Sequence, residues 1–168
     1  VTGATATGTV LANRLDAPTA VVSARGSWWV TEGQLPVLLG QKPPPANLRL
    51  LGVVDDETRR LLFECADVAL NPMSSGSGTN VKMLDWMAAG LPILTSPVGA
   101  RGLALEPGRH AIVAPPGEFA AALERFFAMD AGRREAMAAA ARAHVEARFD
   151  WRAIATGVDE AWRAMGLA

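Results

Sequence analysis

Short, continuously apolar runs alternate along the chain with segments in which apolar residues recur at helical spacing. Thr19 to Ala24 (TAVVSA) is a β-branched run bounded by Pro18 and Arg25-Gly26, which predicts a strand. Leu48 to Val54, Asp67 to Leu70, Leu91 to Ser96 and His110 to Ala114 are predicted strands of the same kind. Between them, ETRRLLFECA places Leu61, Leu62, Cys65 and Ala66 on one helical face, behind an N-cap pair of Asp55 and Asp56. TNVKMLDWMAA predicts a second helix with Thr79 as its N-cap, closed by Gly90 and then Pro92. Beyond residue 115 the pattern is helical. Phe119, Ala122, Leu123, Phe126 and Phe127 follow the spacing of an amphipathic helix, and an Ala/Arg-rich helix runs from Arg133 to Arg148. Asp150 caps a last helix carrying Trp151, Ile154, Val158, Trp162 and Met165 on one side, a face expected to pack mainly on this domain. Residues 25 to 46 are punctuated by Gly26, Gly33, Gly40 and Pro43-Pro44-Pro45 and read as a long connection, with PVLLG a candidate extra strand. Trp28-Trp29 falls in that connection, either as a lid or as a plug at the edge of the core.

Apolar strands alternating with helices imply βαβ units and an α/β, Rossmann-like parallel sheet with helices on both faces. Ligands of such sheets sit at the carboxyl ends of the strands. The loops to inspect are therefore 25–46, 72–79 and 96–102.

Composition narrows the function classes. The chain has 168 residues, 50% hydrophobic and 20% charged, which fits one ordered domain. A net charge of −1 argues against binding nucleic acid through its backbone. One cysteine, Cys65, and two histidines do not make a four-ligand Cys/His zinc site or a disulfide framework, and they fit a reduced, cytoplasmic interior. No apolar stretch has the ~18 residues needed to cross a bilayer. Val1 and an uninformative opening segment suggest an excised piece. His110 and His144 read as structural or solvated residues.

The candidate chemistry lies in NPMSSGSGTNVKMLDWMAAGLPILTSPVGARG, a strand end, a glycine-containing loop, a helix, a strand and a second loop. Gly76 and Gly78 let the backbone approach a ligand closely, and free N–H groups at the following helix start favour an anion. Lys82 stands in the first turn, where the macrodipole disfavours a cation by ~0.3–1 kcal/mol. Its helical neighbour Asp85 lies three residues C-terminal, the weaker orientation for an ion pair. A phosphate at the helix start, coordinated by Lys82, resolves both violations; the alternative is a solvated Lys–Asp pair on an exposed face. Val81, Leu84 and Ala88 form one apolar stripe and Met83, Trp86, Met87 and Gly90 a flanking one, so Lys82 and Asp85 are expected to line a cleft. A carboxylate there can accept hydrogen bonds from a ribose. GSGTNVK is neither a Walker A loop nor GxGxxG, and no GxSxG or HExxH occurs.

From about residue 45 to 165 the chain resembles the C-terminal, donor-binding half of GT-B glycosyltransferases of the family-four (group 1) type. Strand endings, the loop–helix–loop order and Phe149-Asp150-Trp151 before the last helix all coincide with that pattern. In that family two acids eight positions apart bind the sugar nucleotide; the second falls on Asp85 and the first on Ser77. The first acid is thus absent, as in a branch with a Gly-Ser-Gly-Thr-x-x-Lys loop. The resemblance implies donor binding by Gly76, Ser77, Gly78, Thr79, Lys82, Asp85 and Gly99, with Lys82 catalytic. It implies a retaining transfer from a nucleoside-diphosphate sugar to an acceptor hydroxyl, with no metal and no cofactor. Residues 1–168 would then be a single Rossmann-like nucleotide-sugar-binding domain, one half of a GT-B fold, with 1–45 a truncated start and 149–168 the C-terminal helix. Its partner would be a missing N-terminal Rossmann-like half carrying the acceptor site, without which the piece is inactive. Part of the last helix would meet that half. The alternatives are a non-catalytic nucleotide or sugar-phosphate binding module and a GT-B-fold UDP-sugar epimerase fragment.

Overall fold

The computed structural model describes residues 20–24, 27–31, 46 and 48–166. Six strands form one sheet: β1 (Ala20–Ala24), β2 (Ser27–Thr31), β3 (Leu48–Gly52), β4 (Val68–Asn71), β5 (Ile93–Thr95) and β6 (Ile112–Val113). Their order is β3-β2-β1-β4-β5-β6. β2 and β3 are parallel, β4, β5 and β6 are parallel, and β1 is antiparallel to both β2 and β4. Five strands therefore share one direction and the first described strand is reversed. The reversal is seen in the antiparallel pairing of β1 with β2. Ala24 pairs with Ser27, so Trp28 and Trp29 lie in a strand instead of the predicted connection. Aromatic and β-branched residues (Trp-Trp-Val-Thr) suit a pleated strand, and that preference outweighs the neighbouring glycines. The candidate strand PVLLG lies outside the described residues.

The helices are α1 (Asp56–Cys65), α2 (Val81–Ala88), α3 (Phe119–Ala128), α4 (Ala131–Phe149) and α5 (Trp151–Ala164), with a 3₁₀ turn at Pro116–Glu118. Three acidic caps hold their starts. Asp55 accepts the Thr58 N–H at 2.7 Å, Asp130 that of Arg133 at 2.8 Å and Asp150 that of Arg152 at 2.8 Å. Every residue of β4 and β5 is buried, as strands covered on both faces must be. Their alternation divides the core in two. Val68, Leu70 and Leu94 face α3 through Phe119, Ala122, Leu123 and Phe126. Ala69 and Ile93 face the other layer, where α2 contributes Met83, Trp86 and Met87 and α4 contributes Ala141 and Val145.

Three helical faces differ from expectation. On α1, Phe63 packs toward the core, as does Ala66 just after the helix, while Leu61 and Cys65 are exposed. On α3, Phe127 stays half-exposed at the surface, with its ring edge-to-face against Phe126. The apolar side of α5 does not pack on this domain: Trp151 is 82% exposed and Trp162 55%. Among the described residues no helix is long and apolar enough to cross a membrane.

Candidate functional site

The strand order turns back between β1 and β4, and the carboxyl ends of β4 and β5 open beside that point. Asn71 ends β4 and Thr95 ends β5, and both are fully buried. Asn71 Nδ2 donates to Thr95 Oγ1 at 3.2 Å, and the Ser96 N–H donates to the Asn71 carbonyl at 3.0 Å. Ser96 Oγ in turn donates to the Met73 carbonyl and accepts the Gly99 N–H at 3.0 Å. These bonds tie the loop after β4 to the loop after β5. Gly99 belongs to this knot through close approach, because a Cβ there would lie 2.3 Å from Asn71 Nδ2 and 2.4 Å from Thr95 Oγ1. Asn71 Oδ1 is buried without a hydrogen-bond partner among the described residues.

Above the knot runs the Ser/Gly loop. Gly76 has φ +138° and Gly78 φ +79°, both in the region that side chains strain to adopt. Ser77 and Thr79 are exposed beside them. The Thr79 side chain meets the second loop at Gly102, where a Cβ would come within 2.5 Å of Thr79 Oγ1. Thr79 is not the N-cap of α2. Asn80 takes that position without a side-chain cap bond, its amide donating instead to the Met73 sulfur at 2.8 Å. The amino end of α2 is thus left without a side-chain acceptor from its own N-cap, an arrangement suited to an anion.

Lys82 follows in the first turn. Its ammonium is screened from solvent and lies 5.9 Å from the centroid of the Trp86 ring, at the outer range of a cation–π contact. Asp85 looks elsewhere. Its half-exposed carboxylate pairs with Arg59 of α1 at 3.4 Å and borders a groove of about 250 Å³ with Leu84, Ala88, Val145, Phe149 and Trp151. The difference from expectation lies in which stripe of α2 is buried. Met83, Trp86 and Met87 face the core, while Val81 is 65% exposed and Ala88 lies at the surface. Lys82 and Asp85 consequently flank the buried face unequally instead of lining one cleft. The loops bring Gly76, Thr79 and Gly99 together with two residues that sequence spacing did not single out, Ser96 and Arg101. The only signal for Ser96 was polarity at the end of an apolar strand; for Arg101 it was a charge between two glycine-containing turns.

The segment after the second loop is anchored by a histidine pair. His110 is buried, its Nδ1 accepts the Glu106 N–H at 3.1 Å, and its ring lies 4.4 Å from that of His144. His144 Nε2 is 2.8 Å from the Leu103 carbonyl, to which its N–H donates. Burial holds the His110 imidazole below its ordinary value of 6.5, and His144 and Arg109 push the same way against the opposing pull of Glu106. The folded protein therefore binds fewer protons there than the unfolded chain. The stability contribution of His110 is present above about pH 6.5 and is lost as pH falls through its depressed native pKa. Denaturant unfolding at stepped pH values should show stability declining below about 6.5. His110→Gln, which keeps an acceptor but does not titrate, should flatten that decline.

Comparison with known proteins follows the same outline. Residues 10–158 match the family model described as glycosyl transferase-like. Over 115 residues the chain is 30% identical to a phosphatidyl-myo-inositol mannosyltransferase of Mycobacterium leprae (strain TN), covering 67% of this chain and 30% of that protein. Sucrose-phosphate synthase from Thermosynechococcus elongatus superposes with a TM-score of 0.63 at 24% identity, over 79% of this chain and 33% of that one. HepE of Anabaena, solved in complex with UDP, gives a TM-score of 0.64 at 18% identity over 78% and 36% of the two chains. At these identities the solved structures establish a common fold. The chain spans about a third of the length of each of these three proteins.

Proposed function

This chain belongs to the glycosyl transferase-like family, and from that premise we propose that it is the donor-binding part of a glycosyltransferase, holding a nucleoside-diphosphate sugar for transfer to an acceptor hydroxyl. The observation that carries this is the solvent-screened Lys82 ammonium at the start of a helix whose N-cap side chain leaves the first turn open. A cation there opposes the helix dipole, and a diphosphate at the helix start relieves that cost. The bent Gly76–Gly78 backbone would supply N–H groups to that diphosphate and Lys82 its charge. As the sugar–phosphate bond breaks, negative charge accumulates on the leaving diphosphate, where Lys82 and the amino end of α2 stabilise it most. Charge stabilisation of this kind needs no metal, and transfer would proceed with retention at the anomeric carbon.

Asp85 is assigned the ribose. A carboxylate has about four acceptor sites, so the contact with Arg59, its one ion pair among the described residues, leaves room for two hydroxyls. Ser77 stands where the family carries an acid toward the sugar, and sugar recognition accordingly falls on Ser77 and backbone groups. HepE was solved with UDP, which makes that nucleotide the first to try. Calorimetry with UDP, GDP and the parent nucleosides tests the assignment. One diphosphate should bind in a 1:1 complex, and removal of its phosphates should weaken binding about tenfold or more, since each charge-assisted hydrogen bond contributes about 1.5–3 kcal/mol. Equal affinity for nucleoside and nucleoside diphosphate contradicts it.

A further inference from the structure

Arg101 is exposed in the loop after β5, yet its side chain is committed to backbone on both sides of the site. Nε donates to the Val98 carbonyl at 3.3 Å, within its own loop, and Nη2 donates to the Gly76 carbonyl in the Ser/Gly loop, 25 residues earlier. A trans peptide carries its C=O and the following N–H on opposite edges. By taking the Gly76 carbonyl, Arg101 therefore turns the Ser77 N–H away from itself. Gly76 complies because it is glycine: at φ +138° a Cβ would also sit 2.8 Å from Met73 Cε. The guanidinium is a rigid fork that reaches two carbonyls at once, whereas a lysine ammonium reaches out as a single point.

We infer that Arg101 is a positioning residue for donor binding, fixing the peptide between Gly76 and Ser77 so that the Ser77 N–H is presented to the diphosphate. The inference rests on the proposed donor site and adds to it a residue from the opposite loop. Without Arg101 the Ser/Gly loop keeps its glycines but loses the partner that selects one peptide orientation.

The test compares wild-type protein with Arg101→Ala and Arg101→Lys. Amide exchange of residues 74–79 without ligand should quicken in R101A, and UDP affinity should fall about tenfold, the equivalent of one charge-assisted hydrogen bond. Uridine, which lacks phosphates, should bind both proteins alike. Millimolar guanidinium should restore part of the UDP affinity of R101A, and R101K should be intermediate. A general loss of structure would lower the melting temperature, weaken uridine equally and resist guanidinium, and that pattern overturns the inference. So does an R101A protein whose loop exchange and UDP affinity match wild type. Quickened exchange in R101A, from a wild type with no affinity for nucleoside diphosphates, upholds the loop role and removes the donor assignment instead.

Discussion

Lys82→Ala should weaken nucleoside-diphosphate binding by about 10- to 100-fold while changing the stability of the fold far less. The two effects have separate origins. A lysine in contact with a phosphate contributes a charge-assisted hydrogen bond of about 1.5–3 kcal/mol, and its loss corresponds to that range of affinity. In the unliganded protein the same ammonium opposes the α2 dipole, a cost of ~0.3–1 kcal/mol that offsets part of what its contacts contribute. The contact with Trp86, at 5.9 Å, is among those given up. Titration calorimetry and thermal melting on one pair of samples read both quantities. Lys82→Met, which keeps the aliphatic stem over the indole, should show the same binding loss. A substitution that lowers the melting point and spares affinity would make Lys82 a structural residue.

Trp86→Ala should be the most destabilising single truncation on α2. The side chain is 1% exposed and lies in the layer formed with Ile93, Leu103, Ala141 and Val145. Large-to-small changes at buried tryptophans cost about 3–5 kcal/mol, because neighbours close the cavity only in part. For a chain of this size that corresponds to a fall of roughly 10 °C in melting temperature. Denaturant unfolding monitored by circular dichroism measures it, and a loss below about 1 kcal/mol would mean the layer around α2 is not packed as described. Because Trp86 also supports Lys82, UDP affinity should fall too, by less than in Lys82→Ala.

The central strands and the helices after residue 115 were legible because their period is unambiguous. Val68 to Leu70 has no polar interruption, and Phe119, Ala122, Leu123 and Phe126 recur at helical spacing and are all buried. The chain's family was legible from the loop–helix–loop order. The ambiguous cases are those where two apolar stripes compete. α2 has apolar residues almost all round, and burial of Met83, Trp86 and Met87 in preference to Val81 and Ala88 depends on which side the sheet lies, which periodicity does not contain. The same degeneracy separated Lys82 from Asp85. On α5 the periodicity located the apolar stripe of Trp151, Ile154, Val158 and Trp162, but it does not say whether a neighbour covers that stripe. The reversal of β1 arises from a local pairing between Ala24 and Ser27, and Arg25-Gly26 between them reads equally as the end of a strand and as a turn back. Arg101 and Ser96 escaped notice because their partners, Gly76 and Met73, are more than twenty residues away.

A crystal structure of the protein with UDP is the most direct measurement. The diphosphate should lie at the amino end of α2, its oxygens about 3 Å from Lys82 Nζ and from N–H groups of the Ser/Gly loop. A diphosphate seated instead in the groove between α2 and α4, with Lys82 still resting on Trp86 and touching no phosphate, would contradict the account.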